Sequence, residues 1–428
     1  MNAQLPRRAA ILGGQRIPFC RSNTAYTDVG NYGMSVKAVA SLVERYGLAG
    51  EELGEVALGA VIKHSSDWNL GREVALSSGL SPRTPGITIA RACGTGLDTT
   101  LHIANKVALN QLDAGIGGGS DTTSDVPIAY SKALTGRVLA TARAKTFQQR
   151  LGAWKGFGLG ELKPHFPGVT EPRTGKSMGE HCESMAKEWG ITREDQDRLA
   201  LASHQKAAAA FERGFHDDLV VEFRGVKRDN NLRPDTSLEK LATLKPAFDR
   251  HSGRGTLTAG NSTPLTDGAS CVLVASDEWA RARGHEPLAH LTYAHSAAVD
   301  FVAGEGLLMA PTVAVSEMLK QAKLTLQDFD YYEIHEAFAA QVLCTLRAWE
   351  SDKYCRERLG RDKAMGEIDP AKLNVVGSSL AYGHPFAATG ARIVAVLAKL
   401  LKEKGGGRGL ISICTAGGMG VVAILERS

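Results

Sequence analysis

Arg91-Ala92-Cys93-Gly94-Thr95-Gly96 stands at the end of a short apolar run, Gly86–Ala92, and at the head of a helical pattern that continues through Leu109. A second stretch, Ser379-Leu380-Ala381-Tyr382-Gly383-His384-Pro385, has the same character and is followed by a helical pattern through Leu401. Each places a reactive side chain at a tight turn leading into a helix. Further along, Ala114-Gly115-Ile116-Gly117-Gly118-Gly119 finds a counterpart in Ile413-Cys414-Thr415-Ala416-Gly417-Gly418-Met419-Gly420, and both read as strand ends opening into glycine-rich turns. Two similar α/β halves related by a pseudo-twofold axis would bring these four turns together.

The rest of the chain fits around that echo. Short apolar runs and helical patterns alternate through Ala9–Gly13, Gly33–Tyr46, Glu55–Ile62 and Arg72–Ser78, which argues for layered α/β structure. From about Pro127 to Arg254 the character changes to basic residues, prolines, Trp154, Trp189 and the amphipathic stretch Arg193–Arg213, read as a largely helical insertion. Strand-like runs return at Ser270–Ala275 and Leu288–Ala294, followed by the segments Thr312–Ala322, Tyr331–Ile334, Asn374–Val376, Gly409–Cys414 and Val421–Leu425, with a helix expected through Ala337–Ala348. The domain division is therefore 1–126 plus 255–287, an insertion 127–254, and 288–428.

A chain of 428 residues exceeds the roughly 250–300 at which one core stops growing, so several folding units are expected. No run approaches the ~20 apolar residues of a membrane span. A net charge of +4 is too weak to argue for nucleic acid and is compatible with a small polyanion. Seven cysteines with no C-x-x-C spacing oppose a disulfide framework or a metal site and fit a reducing, cytoplasmic setting. The first twenty residues carry arginines and no acid, but Arg8-Ala-Ala-Ile-Leu-Gly-Gly reads as a core strand rather than a leader to be removed.

Among the cysteines, Cys20, Cys182, Cys271, Cys344 and Cys355 read as core residues. Cys93 differs: flanked by Gly94 and Gly96 at a helix N-terminus, it is placed to become a thiolate and act as a nucleophile. His384, fixed between Gly383 and Pro385, is a candidate base for that thiol. Cys414 precedes a turn whose free backbone N–H groups suit an oxyanion.

Taken in order, Ala92-Cys93-Gly94-Thr95-Gly96, Gly260-Asn261-Ser262-Thr263-Pro264-Leu265-Thr266-Asp267-Gly268-Ala269, His335-Glu336-Ala337-Phe338-Ala339, Gly383-His384-Pro385 with Ala388-Thr389-Gly390-Ala391-Arg392, and Cys414 before its glycines resemble the motifs of thiolases over nearly the whole chain. The resemblance implies a five-layered α-β-α-β-α fold of two halves with an inserted loop domain, as a dimer or dimer of dimers. It implies Cys93 as acyl-thioester residue, His384 as its base and Cys414 as second acid/base. His335 stands where many thiolases have asparagine, a variant similar to the β-subunit of the fatty-acid oxidation trifunctional complex, and is expected to help hold the thioester oxygen. Ala416, where glycine is more usual in the family, keeps an N–H that pairs with that of Cys93.

The activity so implied is acyl transfer between coenzyme A thioesters, the thiolysis of 3-ketoacyl-CoA in β-oxidation, with CoA as substrate and no permanent cofactor or metal. Ser177, Met178, Ala259 and Thr263 are expected along the pantetheine path and Phe338 beside the thioester. The basic, aromatic segment Ser131–Lys163 is a candidate docking surface for a hydratase/dehydrogenase α-subunit or for membrane headgroups. Two other readings are a biosynthetic acetoacetyl-CoA thiolase, from which His335 leans away, and a non-catalytic lipid-binding or scaffold protein, which would be expected to have lost one of the reactive side chains.

Overall fold

The structure, a computed structural model, describes residues 6–168 and 170–428; residues 1–5, part of the first expected unit and of the leader question, lie outside it. Ten strands are present among the described residues: β1 (Ala9–Arg16), β2 (Cys20–Arg21), β3 (Glu55–Leu58), β4 (Gly86–Thr88), β5 (Ala114–Asp121), β6 (Thr266–Ser276), β7 (Ala289–Ala298), β8 (Tyr331–Ile334), β9 (Gly407–Thr415) and β10 (Met419–Arg427). Nine form one hydrogen-bonded path, β4-β3-β5-β6-β1-β7-β10-β9-β8, and β2 pairs with β6.

That path reads alike from both ends. Outward from the seam where Ala9–Ile11 of β1 pairs with Ala289–Leu291 of β7, one side runs through antiparallel β6 and β5 to parallel β3 and β4. The other runs through antiparallel β10 and β9 to parallel β8, and Tyr332 of β8 then bridges Leu373 in parallel, where a fifth strand would lie. The expected strand Asn374–Val376 is replaced by this single bridge and a turn. Asn374 takes φ of +45°, and its side-chain amide pairs with both the N–H and the C=O of Ile334, at 3.0 and 2.9 Å, doing locally what a strand backbone would do.

Alternating side chains assign the layers, because successive residues of a strand face opposite sides. Val272 and Val274 of β6, with Ile411 and Ile413 of β9 and Val421 and Ala423 of β10, pack on one central cluster with Leu97, Leu101, Ile393 and Leu397. Cys271, Leu273 and Ala275 face outward onto Val39 and Leu42 of the helix Asn31–Arg45. Val422 and Ile424 face outward onto Val315 and Leu319 of the helix Ala310–Ala322. The result is helix, sheet, helix, sheet, helix. The middle layer holds the helices Thr95–Ala108 and Thr389–Lys404, and the second is buried without interruption from Thr389 to Ala398, as a helix between two sheets must be.

Glycine sets how closely these layers approach. A Cβ on Gly96 would lie 2.5 Å from the Ala387 carbonyl oxygen, and one on Gly390 would lie 2.2 Å from the Leu97 nitrogen, so the two middle helices touch backbone to backbone at their N-terminal ends. The expected turn at Gly115–Gly119 is absent: these glycines lie inside fully buried β5. Cβ atoms at Gly117 and Gly119 would meet the backbones of Thr100 and Ala387 at 2.6 and 2.3 Å, so the run serves close packing against the middle layer rather than a turn. Within 127–254, helices span Lys132–Arg143, Phe147–Gly152, Met178–Glu188 and Arg193–Glu212, and the last packs Ala207 and Phe211 on Ala381 and Tyr382 beside the His384 turn.

Candidate active site

Cys93 is held by a strained turn. Ala92 adopts φ of +44°, a left-handed conformation that costs a residue with a Cβ about 1–3 kcal/mol. Thr95 secures it by accepting the Arg91 N–H and donating to the Ala92 carbonyl, each at 2.8 Å. The chain thereby leaves the sheet with the Cys93 side chain at the mouth of the helix Thr95–Ala108. Gly94 lets this turn press on the β9/β10 hairpin, since a Cβ there would sit 2.6 Å from Val421 and 2.9 Å from Thr415.

The hairpin completes the sulfur pair. β9 and β10 are joined by Ala416–Gly418, with Gly417 and Gly418 at φ of +76° and +70°. In this shape the N–H dipoles of Ala416 and of Cys93 itself favour the anion of the Cys93 thiol, and a charge on Cys93 is felt at Cys414. Glu171, from the insertion, steadies the hairpin by accepting the Gly417 N–H at 2.9 Å.

The imidazoles form a second pair. His335 Nε2 and His384 Nε2 are 3.3 Å apart, with ring centroids 4.1 Å apart. His335 follows β8, and its N–H donates to Ser412 of β9, two residues before Cys414. His384 is anchored by its own N–H to Thr266 Oγ1 at 3.1 Å and by Nδ1 to Thr389 Oγ1 at 2.6 Å. Glu336 is fully enclosed and accepts from Ser203 Oγ, Asn374 Nδ2 and the Leu380 N–H, fastening β8, the long insertion helix and the segment before His384 to one carboxylate.

Asp121 links the two pairs. Its carboxylate accepts the N–H groups of Val61 and Ile62 from one half and of Ala387, three residues past His384, from the other. Burial raises its pKa to about 7, and its charge is felt at Cys93. Together with the Gly96/Gly390 crossing, it ties the cysteine turn to the histidine turn.

The electrostatics correct one expectation. A thiolate-favouring site was anticipated at Cys93, but burial pushes this thiol up to about 12, with the Asp121 charge adding to the effect and the two backbone donors only partly opposing it. Burial likewise drives Cys414 well above the ordinary thiol value, takes His384 down to about 3, and lowers His335, where the neighbouring ring adds to the effect. The resting site holds neutral thiols and neutral imidazoles, and any ion pair must form with the reaction. Cys93 keeps 9% of its surface exposed against 4% for His384, 1% for Cys414 and none for His335, so it is the group most open to an incoming molecule.

Of the residues expected along the substrate path, Met178, Phe338 and Cys414 share one apolar cluster, joined by Cys182 and Leu308. Phe338 stacks edge-on with Phe248 at 5.7 Å. Thr263 spends its hydroxyl and N–H on the Ala337 carbonyl, which splices its segment to the His335 loop. Ser177 caps the helix Met178–Glu188, and Ala259 is exposed. Asp121, Glu171, Glu336 and Ser379 escaped sequence reading; a carboxylate at the end of a glycine-rich buried strand was the available signal for Asp121.

The chain matches the family model for the thiolase N-terminal domain over residues 9–278 and that for the C-terminal domain over 285–427. It is 40% identical over 425 residues to a 3-ketoacyl-CoA thiolase of Yersinia pestis (strain Pestoides F), covering 98% of this chain and 97% of that one, and equally to one from Yersinia pseudotuberculosis serotype O:1b. Among solved structures, a Bacillus anthracis acetyl-CoA acetyltransferase superposes with a TM-score of 0.81 at 31% identity, covering 99% of this chain and all of that one. Human mitochondrial 3-ketoacyl-CoA thiolase superposes with the same TM-score at 28% identity and the same coverage, and its complex with CoA at 27% over all of both chains. With two family domains spanning the strand path, the chain belongs to the thiolase family.

Proposed function

We propose that this protein is a 3-ketoacyl-CoA thiolase, an acyltransferase that cleaves 3-ketoacyl-CoA with CoA to acetyl-CoA and a shortened acyl-CoA in fatty-acid β-oxidation. The observation that carries the reading is the packing of the Cys93 turn on the hairpin that holds Cys414 and Ala416, together with the pair His335 Nε2 and His384 Nε2 at 3.3 Å. The N–H groups of Cys93 and Ala416 would serve as donors to the oxyanion of an acyl group bonded to the Cys93 sulfur.

In this scheme His384 takes the Cys93 proton as the sulfur attacks the 3-keto carbon, so charge develops with bond formation in a site that disfavours a free thiolate. The C2–C3 bond breaks, and the enolate of acetyl-CoA is held by His335 and His384 and protonated by Cys414. Free CoA then enters, Cys414 takes its thiol proton, and the CoA sulfur attacks the acyl group on Cys93 over the Cys93 and Ala416 donors, breaking the Cys93–acyl bond and releasing the Cys93 sulfur to recover its proton from His384. CoA is a substrate throughout, and the scheme calls for no bound cofactor. Met178 and Phe338, packed with Cys414, would flank the pantetheine arm and thioester, with Ser177, Ala259 and Thr263 farther along it.

Thiolysis of 3-ketoacyl-CoAs of several chain lengths tests the reading. Activity beyond four carbons is expected, while confinement to acetoacetyl-CoA would favour the biosynthetic alternative. Cys93→Ala should abolish turnover and acyl labelling, and label retained on another residue would overturn the assignment.

The proposed units are 1–126 plus 255–287, 127–254 as the CoA-facing insertion, and 288–428, assembled as a homodimer or tetramer in the cytoplasm. No helix among the described residues is long and apolar enough to cross a membrane. The segment Ser131–Lys163 and its flanks expose Phe147, Leu159, Tyr130 and Phe166 beside Lys132, Arg143, Lys145 and Arg150. Apolar side chains interspersed with cations support docking to a hydratase/dehydrogenase α-subunit. Purification without such a partner would count against it, and binding to anionic liposomes at low salt would assign the face to headgroups instead.

A further inference from the structure

Two imidazoles that meet Nε2 to Nε2 have room for one proton between them, and the ring that owns it is the donor while the other is the base. The contact itself, 3.3 Å long, does not say which is which. The far side of His335 does. Its Nδ1 lies 2.9 Å from Ser379 Oγ, and Arg392 Nη2 lies 3.0 Å from that same oxygen.

A guanidinium has donors and no acceptor, so Ser379 Oγ must accept from Arg392. The single serine hydrogen is then free for His335 Nδ1. The reverse arrangement, with Nδ1–H donating to Ser379, would leave the serine hydrogen without an acceptor, because no other partner of this hydroxyl exists among the described residues and Ser379 is fully buried. A buried hydroxyl hydrogen left without an acceptor is costly enough to fix the tautomer.

We propose that Ser379, oriented by Arg392, is a positioning residue that locks His335 as its Nε2–H tautomer. His335 thereby presents a donor, and His384 a bare Nε2, to the reacting thioester. The inference rests on the thiolase reading of the site for its consequence but not for its geometry. His384 is free to comply, since its Nδ1 hydrogen has Thr389 Oγ1 as acceptor at 2.6 Å. Burial keeps both rings neutral, and the Arg392 charge acts in the same direction on both, so a tautomer rather than an imidazolium is what the serine selects. A His335 of the other tautomer would offer a lone pair to the substrate oxygen and leave His384 without its neighbouring donor.

The test combines side-chain NMR of histidine-labelled full-length protein with kinetics. In the wild type the His335 resonances, assigned by their loss in His335→Asn, should show hydrogen on Nε2; hydrogen on Nδ1 would overturn the proposal whatever the variants do. Ser379→Ala should populate the second tautomer and lower kcat by about tenfold with the KM for CoA unchanged, and Ser379→Thr, which keeps the hydroxyl, should restore both. In a His335→Asn background, where a fixed amide donor replaces the ring, Ser379→Ala should have no further effect; an equal loss in both backgrounds would mean a merely structural role and would refute the proposal. Should wild-type protein show no thiolysis, the functional reading falls while the tautomer remains readable.

Discussion

Gly96→Ala tests how the two halves are brought to reacting distance. The added Cβ would sit 2.5 Å from the Ala387 carbonyl oxygen and 2.7 Å from the Ala391 nitrogen, where ordinary contact begins at 3.4 Å. Both neighbours are backbone and cannot swing aside, so the helices Thr95–Ala108 and Thr389–Lys404 must part by roughly 0.9 Å at their N-terminal ends. Overpacking of this kind costs ~1–3 kcal/mol of stability, a fraction of the ~5–15 kcal/mol of a typical protein, so the variant should fold. The displacement falls between the Cys93 turn and the His384 turn, and a misplacement near 1 Å costs on the order of 10²-fold in rate. The assay is steady-state thiolysis beside thermal unfolding, with Gly136→Ala, where an added Cβ meets nothing within 4 Å, as control. A folded Gly96→Ala enzyme with activity within about twofold of wild type would refute the idea that this crossing sets the geometry.

Other consequences are as direct. Alkylation of Cys93 by iodoacetamide should rise steadily with pH without levelling off near neutrality, because the thiol is held up to about 12; a plateau at neutral pH would reveal a resting thiolate. His384 is lowered to about 3 from 6.5, so below pH 6.5 the unfolded chain binds a proton that the folded protein refuses. Its contribution to stability is therefore full above pH 6.5 and lost as pH falls toward 3, and His384→Gln should be less acid-labile than wild type in denaturant titrations across that window. Glu171→Ala frees the Gly417 N–H and should slow deacylation about tenfold, in line with ~1.5–3 kcal/mol for a hydrogen bond to a charged group, while Glu171→Gln restores most of the rate; acyl-enzyme that does not accumulate in Glu171→Ala would refute this role.

The layered α/β architecture and the middle helices were legible in the chain, and the four candidate side chains could be named from it, because each rests on a local pattern. The nearly unbroken apolar runs Ser270–Ala275 and Val421–Leu425 answer to strands buried on both faces, and the largely apolar stretch Ile393–Ala398 answers to a helix between two sheets. What misled was glycine. Gly115–Gly119 has a turn's composition but lies in a buried strand, because a missing side chain serves close approach as readily as it serves a positive φ, and only the neighbours tell which. Asn374 likewise departs from a strand: its backbone N–H still pairs with the Tyr332 carbonyl, but its side chain takes over the next pairing, with Ile334.

The motifs by themselves singled out the sulfurs and rings proposed for the chemistry, since a cysteine before a glycine at a strand end and a histidine between glycine and proline are local arrangements. Tertiary structure alone decided their protonation. All seven cysteines are buried, so burial does not mark out Cys93; what does is the Ala416 N–H, delivered from more than three hundred residues away, and the Asp121 charge from another strand. Proton affinity depends on the sum of solvent lost, charges nearby and donors in reach, and those come from segments distant in the chain that meet only once both sheets have closed on the middle helices.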